Sequence, residues 1–222
     1  MSDFILYNYF RSSASYRVRI ALALKGIEYE YRAVHLVKDG GEQKREDYLE
    51  LNAKAEVPTL VHRGRALAQS VAILLYLEDV QPKPALFPKD PFLKAQVMQA
   101  CEIINSGIQP LGNLSVLNEL EKRCGWDAAA KEDWTTHWMK IGLKAFESYI
   151  GKTAGTFCFG NEPTAADAFL VPQFYNALRF RVSVDAFPLA TRIYKNCIER
   201  PEFIAASPER QPDTPAELQT SR

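Results

Sequence analysis

The chain of 222 residues is long enough for one large domain or two small ones, with an ample core in either case. Its 27 acidic and 27 basic side chains balance, which argues against a broad nucleic-acid footprint or a polybasic membrane surface. No apolar run approaches the roughly 20 residues of a membrane span, and no basic and apolar signal region opens the sequence, so we expect a cytoplasmic protein.

The N-terminal part of the chain alternates between strand-like and helical patterns. The apolar run 4–7 predicts a strand, and residues 13–25 predict a helix that ends at Gly26, a residue suited to a left-handed cap. Alternating residues in 29–36 predict a second strand, and a polar, glycine-containing loop follows over 38–43.

A hairpin and a helix complete this first part. Residues 57–62, with proline at the entry, predict a third strand that turns at Arg63 and Gly64 into 66–68, and a helix is predicted over 70–79. A strand–helix–strand opening followed by a hairpin and a helix predicts a small α/β domain with a parallel βαβ unit, over residues 1–81.

The composition changes after this domain. Four prolines within 81–91 are incompatible with a helix or a central strand and predict a stiff linker, which we place at 82–92. Apolar residues then recur at helical spacing in two stretches: Leu93, Val97, Cys101, Ile104 and Ile108, followed by Trp134, Trp138, Ile141 and Ala145. Thr164 and Asp167 predict the capped start of another helix. We expect an all-helical domain over 93–222, with a surface tail from Pro208.

Three serines, Ser12, Ser13 and Ser15, lie where the first strand turns into a helix. Helix N-termini offer unpaired N–H groups and the positive end of the helix dipole, so a hydroxyl there can help to hold a thiolate or a carboxylate. A serine in this position also commonly just caps the helix, and taken alone the residues favour that simpler interpretation.

Two further positions could bind a ligand. Gln69 and Ser70 precede the helix that closes the first domain, where an α-carboxylate would find donors and the helix dipole, although an ordinary cap explains them as well. Val57 is held extended by Pro58, and its backbone could pair with a peptide-like ligand, above all if the bond is cis. A trans strand entry is the simpler alternative, because only about one X–Pro bond in twenty is cis.

Cysteines and histidines give no metal signal. They are widely spaced and form no ligand motif, so reduced structural thiols and no metal site are expected. The residues concerned are Cys101, Cys124, Cys158 and Cys197, with His35, His62 and His137.

A serine-bearing helix start, an extended Val-Pro edge and a Gln-Ser helix start are complementary to a thiol, a peptide backbone and an amino-acid carboxylate. Glutathione carries all three groups. With these motifs the chain resembles the zeta class of the glutathione transferases, the class that includes maleylacetoacetate isomerase. The matching segments are 12–22, 57–60, 69–70, 107–111, 113–115, 164–167, 170–173, 179–182 and 210–218.

The resemblance implies a thioredoxin-like α/β domain followed by an all-α domain, the glutathione transferase fold. It implies that Ser12 hydrogen-bonds the glutathione sulfur and favours its thiolate. Arg11 and Arg179 match positions that bind substrate carboxylates, although a surface ion pair is the plainer role for Arg179. The other glutathione-binding positions that the resemblance implies are Ser13, Gln43, Val57, Gln69, Ser70, Gln109, Asn113 and Ser115.

The implied activity is glutathione-dependent cis–trans isomerisation of a maleyl-type dicarboxylate, namely maleylacetoacetate to fumarylacetoacetate in aromatic amino-acid (tyrosine) catabolism. The class usually has cysteine where this chain has Ala14, and Gly112 stands where a polar residue would be unsurprising. These departures leave open maleylpyruvate isomerisation, glutathione transfer or haloacid dehalogenation, and a non-catalytic glutathione-binding role. The resemblance also implies a homodimer.

Overall fold

The structure, a computed structural model, describes residues 2–219. Contacts divide the chain into two compact units, Met1–Leu86 together with Glu199–Arg222, and Phe87–Ile198. The last stretch therefore groups with the sheet, whereas the sequence analysis places it with the helical domain. Residue 1 and residues 220–222, the outer ends of the expected domains, lie outside the described residues.

The first unit is built on a mixed four-stranded sheet, as expected. Strands β1 (Phe4–Asn8) and β2 (Glu30–Ala33) are parallel, and helix α1 (Ser13–Lys25) connects them. Strand β3 (Thr59–His62) runs antiparallel to β1 and forms a hairpin with β4 (Arg65–Ala68), which gives the strand order β2-β1-β3-β4. The α/β class and the βαβ opening are thus confirmed.

Helix α1 has the limits that its caps predict. Ser12 precedes it in an extended conformation, and Gly26 ends it in the left-handed region at φ 63°. Among its buried residues are the charged side chains Arg17, Arg19 and Lys25, and each of them makes hydrogen bonds inside the unit. Helix α1 has buried residues around most of its circumference. Because a buried charge is costly without hydrogen-bond partners, these cations need fixed partners.

Some elements of the first unit differ from the predictions. Strand β2 ends at Ala33, before the predicted limit at residue 36, although the Val34 N–H still bonds to the Asn8 C=O at 2.8 Å. A short helix α2 (Glu46–Leu51), which the pattern did not predict, precedes β3, and α3 (Ser70–Val80) follows the hairpin. The bond before Pro58 is cis, the alternative that the family-like Val-Pro entry favours over the commoner trans form.

The second unit is helical. Its elements are α4 (Pro91–Asn105), α5 (Leu114–Cys124), α6 (Ala128–Ile150), α7 (Ala165–Arg179) and α8 (Pro188–Ile198). Helices α4, α6, α7 and α8 pack on one another around an apolar core that includes Ile104, Leu143, Phe146, Phe169 and Phe174. The all-α class of this part is confirmed.

The predicted apolar face of α6 was wrong in phase. Ile141 is 48% exposed, and Trp134 and Trp138 are only half-buried, whereas Met139 and Phe146 are buried. A side chain at Gly142 would meet Ile108 at 2.2 Å, so the helix faces the core through its smallest residue. The two tryptophans therefore lie beside the core.

The start of α7 follows the predicted capping arrangement. Asp167 is fully buried, and its carboxylate accepts hydrogen bonds from the Thr164 N–H at 2.8 Å and the Cys158 N–H at 2.9 Å. Burial raises the pKa of Asp167, and these donors oppose the rise by favouring the carboxylate. The interaction joins the preceding loop to the helix start.

The C-terminal stretch contains helix α9 (Pro201–Ala206), which packs on α1. The expectation of a surface tail from Pro208 was wrong for residues 208–214, because Gln211 and Thr214 are only 5% and 4% exposed. No helix among residues 2–219 has the length and apolar character to cross a bilayer. The same residues contain no cluster of three or more His, Cys, Asp or Glu side chains suited to a metal ion.

Candidate active site

Residues 9–12 form a tight turn between β1 and α1, here named the serine turn. The Ser12 N–H donates to the Tyr9 C=O at 3.0 Å and closes the turn. The Ser12 hydroxyl accepts a hydrogen bond from the Ser15 N–H at 3.2 Å and caps the helix. Because the hydroxyl oxygen serves as acceptor in the cap, its own proton is left to donate to a ligand at the helix N-terminus. The capping and ligand-binding interpretations of Ser12 are therefore compatible.

The neighbours of Ser12 differ in exposure. Ser13 and Ala14 are half-buried, whereas Ser15 is fully buried and its hydroxyl has no hydrogen-bond partner among the described residues. Arg11 is exposed, with its guanidinium carbon 5.7 Å from the centre of the Phe10 ring. The turn thus presents one capped hydroxyl and one accessible cation.

Arg19 holds the serine turn from below, and sequence reasoning missed it. Its guanidinium donates to the Phe10 C=O at 2.8 Å, to the Tyr9 C=O at 3.3 Å and to the Asn8 side chain at 3.1 Å. A fourth bond, at 2.9 Å, reaches the Ala206 C=O. Burial lowers the pKa of Arg19, opposed by nearby tyrosines and a carboxylate. A charged residue within an apolar helix pattern was the available signal.

A carboxylate from the far end of the chain also reaches the serine turn. Asp213 accepts a hydrogen bond from the Phe10 N–H at 3.0 Å and another from the Tyr31 hydroxyl. Burial raises the pKa of Tyr31, so the tyrosine remains a hydroxyl donor. No local pattern in the sequence could place Asp213 beside residue 10.

The second helix start lies at α3. Gln69 has the unusual backbone angle φ 70°, and it directs the chain so that Ser70 becomes the first residue of the helix. The Ser70 hydroxyl is buried and accepts a hydrogen bond at 3.2 Å from Arg17, a side chain only 1% exposed. A hydroxyl, a helix N-terminus and a buried cation therefore meet at one place, which suits a carboxylate.

The strand edge before β3 is open to a ligand. Among residues 2–219 the N–H and C=O groups of Val57 have no hydrogen-bond partner. The preceding Glu56 C=O is fixed by the Tyr48 hydroxyl at 2.6 Å and by the Asn52 amide at 2.7 Å. Burial raises the pKa of Tyr48, which keeps this donor protonated. The unpaired Val57 backbone can accept an extended peptide.

Gln43 lies in the loop between β2 and α2. Its side-chain amide donates to the Leu36 C=O at 3.2 Å, whereas its side-chain oxygen is buried without a partner among the described residues. Gly41 leaves room for this side chain: a methyl group there would lie 2.6 Å from the Gln43 amide nitrogen. The buried oxygen is an acceptor without a protein donor, and a peptide N–H would satisfy it.

The first unit brings these predicted residues together. Tyr9 and Phe10 of the serine turn share a buried apolar cluster with Val57, and Arg17 of α1 contacts Ser70 of α3. A capped hydroxyl, an open strand edge and a carboxylate-type helix start are thus supported by one sheet. This set fits a ligand with a thiol, peptide groups and an α-carboxylate, as glutathione has.

The remaining predicted residues belong to the helical unit. Gln109 is half-buried in a short turn, Asn113 is the residue before α5, and Ser115 is exposed on that helix. Arg179 ends α7 and is exposed, with its guanidinium carbon 4.2 Å from the centre of the Phe180 ring. These side chains supply donors and a cation for polar ligands.

The chain is similar to known glutathione-dependent proteins. Residues 2–79 match the family described as "Glutathione S-transferase, N-terminal domain". The chain is 45% identical to the maleylacetoacetate isomerase of Mus musculus, over 97% of both chains.

Two solved structures are similar in fold and sequence. One is the holo form of a bacterial zeta-class maleyl pyruvate isomerase, with a TM-score of 0.91, 39% identity and coverage of 95% of this chain and 100% of the other. The other is the maleylacetoacetate isomerase of Anaeromyxobacter dehalogenans 2CP-1 with glutathione in its active site. It has a TM-score of 0.84 and 42% identity, covering 96% of this chain and 98% of that one.

Proposed function

The chain belongs to the zeta class of the glutathione transferases, the family of the maleylacetoacetate isomerases, and from this premise we propose which of its residues carry the reaction. It is a glutathione-dependent cis–trans isomerase of a maleyl-type dicarboxylate. In our assignment Ser12 activates the thiol, and Arg11 and Arg179 bind the substrate carboxylates. The first unit supplies most of the glutathione site.

The observation that carries this assignment is the geometry of Ser12. Its hydroxyl oxygen already accepts the Ser15 N–H, so its proton is not used in the cap and is available to a sulfur atom. The N-terminal end of α1 adds a positive potential that favours a thiolate over a thiol. Ala14, the second residue of α1, leaves this helix start without a cysteine, and we assign the nucleophile to glutathione.

When bound, glutathione supplies a thiolate whose reversible addition to the conjugated cis double bond makes that bond single and permits rotation. The protein must lower the thiol pKa and fix the two substrate carboxylates. Ser12 performs the first task. Arg11 and Arg179 perform the second, because a guanidinium holds a carboxylate with two parallel hydrogen bonds.

Glutathione itself is held by groups with matching chemistry. We assign its α-carboxylate to Ser70 and Gln69, and its peptide backbone to the unpaired Val57 edge and to the buried Gln43 oxygen. Ser13 borders the thiol position. Three residues of the helical unit complete the proposed set: Gln109, Asn113 and Ser115.

Maleylpyruvate is the second candidate substrate. The maleyl pyruvate isomerase structure has a TM-score of 0.91 to this chain, and Ala14 stands where the class usually has cysteine, which leaves the choice of maleyl substrate open. Parallel assays with maleylacetoacetate, maleylpyruvate and a haloacid separate the two isomerases from a dehalogenase. An isomerase leaves the free thiol concentration unchanged after turnover, and a transferase consumes it.

Replacement of Ser12 by alanine tests the assignment directly. The variant should keep the fold and most of its glutathione affinity, because Gln69, Ser70 and Val57 remain. The pKa of bound glutathione should rise, and kcat should fall by about 100-fold, since a hydrogen bond to developing charge is lost. Ultraviolet titration of the thiolate and steady-state rates measure both effects.

A matched control is Ser2→Ala, which removes a serine hydroxyl that bonds to the Glu28 C=O in the same unit. This variant should behave as the wild type. An unchanged titration midpoint together with an unchanged rate in Ser12→Ala would refute our assignment, and Ser13 and Ser15 would be the next serines to replace.

We also propose the pathway, the cellular compartment and the oligomeric state. We place the reaction in tyrosine catabolism, as the step that makes fumarylacetoacetate, and in the cytoplasm, where four free cysteines remain reduced. We infer a homodimer from the family. Sedimentation at micromolar concentration measures the mass, and a monomer there would contradict the dimer.

A further inference from the structure

Asp213 contacts the serine turn directly but is not among the residues assigned to glutathione or substrate. It lies 203 residues from Phe10 in the sequence and accepts that residue's N–H at 3.0 Å. Phe10 is the second residue of the turn, so its N–H is not used by the hydrogen bond that closes the turn. Asp213 therefore satisfies a backbone donor that the turn's own hydrogen bond does not use.

The serine turn is held by two opposite charges. Arg19 binds the carbonyl oxygens of Tyr9 and Phe10, and Asp213 binds the Phe10 N–H. Both polar groups of the Phe10 backbone are thus fixed by charged side chains, one bond being buried and the other part-buried, and hydrogen bonds to charged groups are stronger than neutral ones. Since the Tyr9 C=O also accepts the Ser12 N–H, the position of Ser12 follows from the position of this peptide.

Asp213 is itself held in place. It belongs to residues 208–214, here named the tail segment, which folds back on α9. The Gln211 amide donates to the Ala205 C=O at 2.9 Å and to the Ser207 C=O at 2.7 Å, and the Thr214 hydroxyl donates to the Pro208 C=O. A carboxylate on such a buried support has little freedom to move, which makes it effective in positioning another group.

We propose that Asp213 is a positioning residue of the active site: the tail segment presents its carboxylate to the Phe10 N–H and so fixes the Ser12 hydroxyl at the start of α1. The consequence for catalysis rests on the proposed function of Ser12. The mechanical part, the fixing of the turn, concerns the free protein and is independent of any ligand.

Amide hydrogen exchange in the free protein tests the mechanical part. In Asp213→Ala the amides of Phe10 and Ser12 should exchange about tenfold faster, because the charged acceptor that orders the turn is gone. The Ile73 amide, bonded to the Gln69 C=O in α3, should keep its rate and serves as the internal reference. Asp213→Asn retains an oxygen for the Phe10 N–H and should restore most of the protection.

The catalytic part is tested on the glutathione complex. Asp213→Ala should raise the titration midpoint of the bound thiol and lower kcat about tenfold, with the glutathione Kd changed less than about threefold. Glu202→Gln is the control, because it removes a carboxylate that pairs with Arg200 in the same C-terminal stretch. This control should match the wild type in all three measurements.

The outcomes separate the two claims. Unchanged exchange at Phe10 and Ser12 in Asp213→Ala overturns the proposal, as does faster exchange without any change in thiol titration or kcat. If the alanine variant fails to fold, Tyr31→Phe, which removes only the other bond of Asp213, should give about a threefold increase in exchange at Phe10, and no increase overturns the proposal. A wild-type protein without isomerase turnover refutes the proposed function, whereas the exchange data still decide whether Asp213 fixes the turn.

Discussion

At the scale of single residues, two buried arginines of α1 support the two helix starts of the site. Arg19 binds the serine turn, and Arg17 binds the Ser70 hydroxyl at 3.2 Å. Each side chain is 1% exposed, so its charge acts through a medium that screens it weakly. A single helix thus places one positive charge against the serine turn and another against Ser70, the two positions that we propose for the thiolate and for the α-carboxylate.

Replacement of Arg17 should weaken glutathione binding without altering the thiol. In Arg17→Met the Ser70 hydroxyl loses the donor that orients it, and the carboxylate site loses a buried charge, so glutathione affinity should fall roughly tenfold. Calorimetry gives the Kd, and the thiol titration midpoint should remain that of the wild type.

A glutathione analogue without the α-carboxylate sharpens this test. Wild type and Arg17→Met should bind the analogue with equal affinity, because the analogue lacks the α-carboxylate that interacts with the Arg17 site. Arg65→Met, on the exposed β4 strand, is the control for loss of an arginine. Equal loss of affinity for glutathione and for the analogue would show that Arg17 acts elsewhere.

At the scale of elements, the loop between β2 and α2 depends on two adjacent glycines with different surroundings. Gly40 and Gly41 both have positive φ angles, 82° and 104°. A methyl group at Gly40 meets no atom within 4 Å, whereas one at Gly41 collides with the Gln43 side chain. Alanine at Gly40 would therefore cause backbone strain alone, whereas alanine at Gly41 would cause backbone strain and also displace Gln43.

We expect Gly41→Ala to lower glutathione affinity roughly tenfold and Gly40→Ala to change it less than about twofold. Both variants should lose some stability, because alanine disfavours positive φ angles. Glutathione Kd and thermal unfolding measure the two effects. Equal affinities in the two variants would remove Gln43 from the binding site.

Local sequence signals account for much of the fold. Helix α1 was predicted to its limits, because Gly26 and the serines mark both ends, and the hairpin after Pro58 was found from its turn residues. The phase of α6 was missed, since the bulk of Trp134 and Trp138 outweighed the small Gly142 that faces the core. Proline at the start of α8 and of α9 was an available signal that the prediction did not use.

Candidate site residues could be read from the sequence where a motif is local, and not where contacts are distant in the chain. Ser12, Val57 and Ser70 each lie at an element boundary that the sequence marks. Arg19 and Asp213 act through contacts that only the folded chain creates, and periodicity carries no information about them. The support of the serine turn therefore had to come from the structure.

At the scale of the whole molecule, Lys25 of α1 binds the end of α3 and the proline-rich segment that follows it. Its ammonium group is fully buried and donates to the Glu78 carboxylate at 2.7 Å, to the Gln81 C=O at 2.7 Å and to the Pro84 C=O at 2.9 Å. All three donors of the lysine are used, so the buried charge is completely satisfied. This cation fixes the path of the chain after α3.

Lys25→Met should destabilise the protein by about 3–5 kcal/mol, because it leaves the Glu78 carboxylate without its counter-charge. Denaturant unfolding measures the loss, and Lys140→Met, at an exposed position on α6, is the control with an expected change below about 0.5 kcal/mol. Adding Glu78→Gln to Lys25→Met should recover part of the stability. A loss in Lys25→Met no larger than in the control would contradict this role.

The grouping of Glu199–Arg222 with Met1–Leu86 has a consequence for how the protein is made. The strands of the first unit are synthesised first, but this unit lacks α9 and Asp213 until those later residues have left the ribosome. The helical unit is continuous in sequence, so all of its parts are present earlier and it can fold as a unit while the sheet waits. The two units are therefore completed in the reverse of the order in which their synthesis begins. The serine turn is among the first residues synthesised and among the last to acquire its final form.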